Sequence, residues 1–206
     1  MQKLFLLFLA LLTACFCSYS QQETNTNKTQ LNILFIGNSL TYSNDLPQLV
    51  VKEGLKNKIK ISTKMIALPN YSLEDHWNEG QVQELISSKK YDFVIIQQGP
   101  SSQSEGRKTL LEYGGKYSNL CKSNKAKLCF FMVWPSLDYY HTFNDVIKNY
   151  TEAATINKSI LLPVGKVWKD YIDSSKAYNY YSSDRFHPSI KGRQVAAKVI
   201  VEHLLQ

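Results

Sequence analysis

Residues 31–41 read Leu-Asn-Ile-Leu-Phe-Ile-Gly-Asn-Ser-Leu-Thr. The first six form an apolar run of strand length, and Gly37 ends it in a turn that leaves Ser39 at the strand's carboxyl edge. Comparable runs recur at 59–66 (IKISTKMI), 91–96 (YDFVII), 127–134 (KLCFFMVW) and 159–164 (SILLPV). Helix-length segments fill the gaps, at about 45–57, 77–88, 104–124 and 142–156, and a last one closes the chain at 189–205. A strand such as Phe93–Ile96, apolar at every position, has no side that meets water, which suits a parallel sheet covered on both faces. The pattern predicts an α/β domain: a three-layer α/β/α sandwich around a five-stranded parallel sheet, with its ligand site at the carboxyl ends of the strands.

The elements nearest the chain's ends carry the clearest signals. Val195, Ala196, Val199, Ile200, Leu204 and Leu205 repeat at spacings of three and four and make one apolar helix face, which Pro188 and Ser189 introduce. The first helix follows Asn44 and Asp45, with Leu46, Leu49 and Val50 opening its inward stripe.

The whole chain has 206 residues, 44% hydrophobic and 20% charged, the composition of one globular domain. No period of 20 to 50 residues repeats, so solenoids and propellers are excluded. The net charge of +7 comes from scattered lysines. The densest run, Lys52, Lys56, Lys58, Lys60 and Lys64, contains Glu53 and no interleaved aromatics, which is a solvated face and not a nucleic-acid site. Such a surface attracts anionic polymers only at low salt.

Lys3 precedes the apolar run Leu4–Leu12, too short to span a bilayer and of the length of a signal-peptide core. Residues 1–20 are therefore read as an export segment. Leu12-Thr13-Ala14-Cys15 resembles a lipoprotein cleavage site with Cys15 as the lipidated residue, while Ser18-Tyr19-Ser20 suits ordinary signal cleavage; both readings stand. Residues 21–30 are a polar tether and 31–206 the domain. The expected location is outside the cytoplasm, as a periplasmic, lipid-anchored or secreted monomer whose only membrane contact is that lipid. Cys121 and Cys129 then lie in an oxidising compartment that permits a disulfide, although the favoured reading is two unrelated cysteines, Cys129 being a small buried hydrophobe. His76, His141, His187 and His203 form no metal-binding pair, and neither a metal nor a cofactor is expected.

Two segments carry chemistry. Ser39 at a sheet edge is a weak nucleophile until a base and an orienter for that base approach it, and alone it is also what a turn cap requires. Ahead of the last helix, Asp184-Arg185-Phe186-His187-Pro188 spaces a carboxylate three residues before an imidazole, close enough on a turn to fix its tautomer. Gly-x-Ser-x-Gly, Gly-x-Gly-x-x-Gly and P-loop sequences are absent, which disfavours the α/β-hydrolase, dinucleotide and nucleotide readings of a parallel sheet.

Together these segments resemble the SGNH, or GDSL-type, hydrolases over essentially the whole domain. Gly37-Asn38-Ser39-Leu40 matches the family's Gly-Asp-Ser-Leu block with Asn for Asp, and Asp184, His187 and Pro188 match its final block. The resemblance implies the flavodoxin-like SGNH fold, with Ser39 as nucleophile, His187 as general base and then acid, and Asp184 as its orienter. It also implies an oxyanion hole from the Ser39 N–H and two further donors. The family's Gly in the second block aligns with Asn70, the non-glycine residue best suited to a positive φ, and its Asn in the third block is replaced near Gln97-Gln98, with Gln98 the preferred candidate. Trp134, Tyr139 and Tyr140 follow the fourth strand, where aromatics could stack on a sugar or simply pack; Trp134 and Tyr140 are the candidate substrate contacts. Glu74-Asp75-His76-Trp77 reads as a helix-start cluster.

The implied activity is hydrolysis of short acyl esters, O-acetyl groups on carbohydrate above all, since no long insertion is present to form a lid over a lipid chain. Acyl transfer on the same fold and non-catalytic glycan binding remain the alternatives.

Overall fold

The computed structural model describes residues 30–206; the export segment, Cys15 and the tether up to residue 29 lie outside the described residues. Five parallel strands form one sheet: β1 (Gln30–Gly37), β2 (Lys60–Ala67), β3 (Phe93–Ile96), β4 (Lys127–Phe131) and β5 (Ile160–Leu162). Their order is β2-β1-β3-β4-β5. Chain order therefore reverses between β1 and β3, which pair from Ile33 with Phe93 to Ile36 with Ile96. In such sheets this switch point opens a crevice beyond the strand ends.

The helices are α1 (Ser39–Tyr42), α2 (Leu46–Lys56), α3 (Leu73–Glu79), α4 (Gln81–Ser87), α5 (Ser104–Ser123), α6 (Phe143–Asn157), α7 (Val164–Ser175) and α8 (Ile190–Leu204). α2 packs beside α8, α3 to α6 pack in a second group, and α7 touches both α6 and α8. The sheet is thus covered twice. Ile33 to Ile36, Phe93 to Ile96 and Leu128 to Phe131 are all buried, on alternating faces, which explains the unbroken apolar runs.

Three boundaries differ from the sequence pattern. The helix expected at 77–88 is two helices parted by Gly80, whose φ of 83° breaks the first, and α3 starts earlier because Ser72 and Asp75 form a reciprocal capping box. That cap makes Glu74-Asp75-His76-Trp77 part of a helix start. Further on, β4 ends at Phe131 and β5 has only three residues. Beyond β5 the pattern missed α7 altogether. Pro163 and the apolar run through Val164 read as one strand, yet Val164, Trp168 and Ile172 are buried at intervals of four and form a helix face. Gly165 lets α7 pass close to the segment that follows β4, since a Cβ there would sit 2.1 Å from the Val133 carbonyl oxygen.

Candidate active site

β1 delivers the turn that carries Ser39. Asn38 is extended and caps α1, its Oδ1 accepting from Leu40 N at 3.1 Å, so Ser39 becomes the first residue of that helix. The Asn38 amide also donates to Tyr71 O at 3.0 Å, a bond that an Asp in this position could not make. Gln97, at the end of β3 and 1% exposed, fixes the turn from beneath. Its Oε1 accepts from Asn38 N (2.9 Å) and Thr41 Oγ1 (2.8 Å), and its Nε2 donates to Gln98 O (2.6 Å). Gly37 permits this approach: a Cβ would stand 2.4 Å from Thr41 Oγ1 and 2.5 Å from Gln97 Oε1. The Gly37 carbonyl in turn accepts from Leu68 N and from buried His76 Nε2, 2.7 Å away. A carbonyl can only accept, so His76 carries its proton on Nε2.

The second segment is a tight loop before α8. Ser182 N donates to His187 O and Arg185 N to Ser182 O, with Arg185 in the left-handed region at φ 64°. This winding, together with a bridge between Tyr181 and Pro188, folds the three-residue spacing into contact. His187 Nδ1 lies 2.7 Å from Asp184 Oδ2, and His187 Nε2 lies 2.9 Å from Ser39 Oγ, across 148 positions of sequence. Asp184 Oδ1 accepts from Ser182 Oγ (2.7 Å), Phe186 N (2.9 Å) and His187 N (2.9 Å). Desolvation opposes ionisation of this carboxyl. The bonds from Ser182, the Phe186 N–H, the His187 ring and the His187 N–H outweigh it and hold Asp184 well below the usual carboxylate range. A carboxylate thus fixes Nδ1 as the protonated ring nitrogen and leaves the Nε2 lone pair facing a hydroxyl.

The oxyanion candidates sit on the strand ends flanking β1. Asn70, in the turn after β2, has φ 63°, the conformation expected of it, and its N–H has no acceptor among the described residues. Gln98, after β3, accepts from Leu73 N through Oε1 at 2.7 Å. Because Leu73 N must donate, the amide orientation is fixed, and Nε2 keeps its protons for another acceptor. Ser39, Asn70 and Gln98 therefore follow three adjacent strands, β1, β2 and β3.

The aromatic assignments need correction. Trp134 is fully buried, stacked on Trp168 with ring centroids 3.5 Å apart, and its Nε1 donates to Phe186 O at 2.9 Å. It braces the His187 loop from inside and has no surface for a substrate. Tyr140 turns toward α7, where its hydroxyl donates to Asp173 Oδ1 at 2.7 Å and its ring meets Phe143 and Tyr178 edge-on. The exposed aromatic is Tyr139, which with Phe186, Pro100, Ser101, Gln103 and Pro135 lines an open cleft of ≈ 700 Å³ beside the His187 loop. Among the described residues, no charged side chain lines it. Phe186 was legible in principle, being the apolar residue inside the Asp184–His187 motif; Gln97 was the polar residue ending an otherwise apolar strand.

Cys121 and Cys129 are both buried and unbonded. Burial raises the Cys121 thiol to about 12 and pushes Cys129 up as well, so neither forms a thiolate near neutral pH.

No family model matches the sequence, and no curated protein matches it. Several solved structures share its fold. A proposed SGNH hydrolase from Slackia heliotrinireducens is similar at TM-score 0.73 and 20% identity, covering 85% of this chain and 99% of that one. A lipase/acylhydrolase from Enterococcus faecalis gives 0.70 and 16%, covering 85% and 95%. A DUF4886 family protein from Bacteroides uniformis gives 0.69 and 16%, covering 85% and 83%. The chain has the α/β/α fold of the SGNH hydrolases.

Proposed function

We propose that this protein is a serine esterase that forms an acyl-enzyme on Ser39. The observation that carries the proposal is the continuous chain from Ser39 Oγ to His187 Nε2 (2.9 Å) and from His187 Nδ1 to Asp184 Oδ2 (2.7 Å) on an SGNH-hydrolase fold. In the first half-reaction His187 takes the Ser39 proton as Oγ attacks the ester carbonyl, then returns it to the leaving alcohol. The tetrahedral oxyanion is met by the N–H groups of Ser39 and Asn70 and by Gln98 Nε2. Water attacks the acyl-enzyme by the same route and frees Ser39. Asp184 stays ionised throughout and stabilises the imidazolium.

The substrate we infer is a short acyl ester on a neutral alcohol, an O-acetylated carbohydrate in the first instance. Support comes from the uncharged cleft, with the Tyr139 and Phe186 rings among its serine and glutamine side chains, which suits a ligand with both apolar faces and hydroxyls. Export by the N-terminal segment would place the enzyme where such polymers are met. The test is incubation of the purified domain with p-nitrophenyl esters of increasing chain length and with a fluorophosphonate probe. Turnover of acetyl and butyryl esters and labelling that needs Ser39 are expected; folded protein that neither turns over nor labels would overturn the proposal.

A further inference from the structure

Two contacts outside the triad tie the segment that follows Ser39 to the segment that follows His187. Asn44 Nδ2 donates to Pro188 O at 2.9 Å, and Arg193 Nη1 donates to Leu40 O at 2.6 Å. Leu40 is the neighbour of Ser39 and Pro188 the neighbour of His187.

Both contacts are held at a cost. Asn44 and Asp45 are consecutive non-glycine residues in the left-handed region, at φ 52° and 51°. Arg193 is completely buried, its Nε and Nη2 have no partner among the described residues, and the guanidinium's bond among them is to a carbonyl. Burial alone lowers its pKa to about 9. An uncompensated buried cation is destabilising, and an apolar side chain of the same length would fill the space without that penalty. Strain and unsatisfied charge that persist beside a candidate active site point to a role in the reaction and not in the core.

The geometry identifies that role. α1 has four residues, too few to be stable as an isolated helix; the Ser43 N–H closes onto the Ser39 carbonyl, and the Leu40 carbonyl is left to a side chain. Ser43 Oγ takes the Ser39 carbonyl and Arg193 takes that of Leu40. Arg193 N is itself bonded to Ser189 O in the first turn of α8, which starts directly after His187 and Pro188. The guanidinium thus carries the position of the base's helix to the nucleophile's helix. Asn44 makes a second connection on the solvent side, its amide reaching Pro188 O from a left-handed backbone.

We propose that Arg193 and Asn44 are positioning residues, a two-point latch that sets the register between Ser39 Oγ and His187 Nε2. The proposal rests on the reading of these two residues as nucleophile and base. The experiment compares wild type, Ser39→Ala, Asn44→Gly, Arg193→Met and Arg193→Lys with p-nitrophenyl acetate, a fluorophosphonate probe and thermal unfolding. Asn44→Gly removes the amide and leaves a residue that adopts the same backbone freely, so kcat should fall about 10-fold with KM unchanged. Arg193→Met should lower kcat and the labelling rate about 100-fold at an unchanged or raised Tm, and Arg193→Lys, which can still donate to Leu40 O, should recover part of the loss. The double variant should lose less than the product of the two, since both act on one distance.

Wild-type kcat in both Asn44→Gly and Arg193→Met would overturn the latch, as would a loss that Arg193→Lys does not relieve. If Arg193→Met does not fold, Asn44→Gly in its exposed loop decides alone, through kcat at constant KM. Failure of the catalytic reading looks different: wild type itself is folded, silent and unlabelled.

Discussion

Gln97 Oε1 accepts two hydrogen bonds at once, from the Asn38 N–H and the Thr41 hydroxyl, and both donors flank Ser39. The end of β3 thereby fixes the turn at the end of β1, across the switch point of the sheet. Gln97→Leu should leave these buried donors unpaired and cost about 2–4 kcal/mol in unfolding free energy, with slower fluorophosphonate labelling of the folded fraction. Gly37→Ala should act by the same route. Its Cβ would push Thr41 Oγ1 and Gln97 Oε1 aside, so labelling should slow at a stability loss of about 1–3 kcal/mol. Urea unfolding alongside probe kinetics separates the two effects.

Gln98 offers a cleaner separation of fold from chemistry. Gln98→Glu keeps an acceptor for Leu73 N, removes the Nε2 donor and, once ionised, adds a negative charge beside the position of the proposed oxyanion. Loss of one oxyanion donor by itself is expected to lower kcat about 100- to 1000-fold and the carboxylate's repulsion of the oxyanion to lower it further, with the fold preserved by circular dichroism. Wild-type turnover in this variant would show that the donor lies elsewhere.

Much of this arrangement was legible in the sequence, for a physical reason. Strands buried on both faces must be apolar throughout, so the sheet declared itself, and the motifs at Ser39 and at Asp184 to His187 occupy the tight turns that bring side chains to its edge. The α7 helix was hidden because a proline at its start and a three-residue strand before it merge into one apolar run. The aromatic positions were misjudged for a different reason. Trp134, Tyr139 and Tyr140 are near neighbours in sequence, and only the packing partner decides which is exposed: Trp168 claims Trp134, Asp173 claims Tyr140, and Tyr139 is left to the cleft. Gln97 and Gln98 could not be told apart by type, since one clamps the turn and its neighbour keeps a free donor.

If the Tyr139 ring is a platform for the alcohol part of the ester, Tyr139→Ala should raise KM for a carbohydrate ester several-fold while kcat stays within about 2-fold, the signature of binding shared by ground and transition states. With p-nitrophenyl acetate the effect should be smaller, and Tyr140→Phe should change neither parameter. Steady-state kinetics on both substrates decides between the two tyrosines.

Ser39→Ala and His187→Ala should each remove nearly all turnover, and the double variant should be little worse, because hydroxyl and imidazole act as one unit. Multiplying losses in the double variant would mean that the 2.9 Å contact is structural only.

Asp184 links the same loop to pH. Four donors hold its carboxylate ionised, and its native pKa lies below the unfolded value. The sign follows: the ionised form stabilises the fold fully above the ordinary aspartate pKa of about 3.9, and this contribution is lost as pH falls from there toward the depressed native value. Wild type should therefore lose stability below about pH 4 more steeply than Asp184→Asn, and the two urea-unfolding curves should converge as the pH is lowered. Activity behaves differently. Asp184 is ionised over the whole range in which an imidazole titrates, so the acid limb of kcat/KM should fit the uptake of a single proton, with no second carboxylate step. Asp184→Asn can still accept from the ring but leaves the imidazolium without its counter-charge and the tautomer unfixed. A drop in kcat of about 10²- to 10⁴-fold is expected, smaller than that of Ser39→Ala or His187→Ala. An Asp184→Asn variant with wild-type turnover would place the orienting group outside the Asp184–His187 loop.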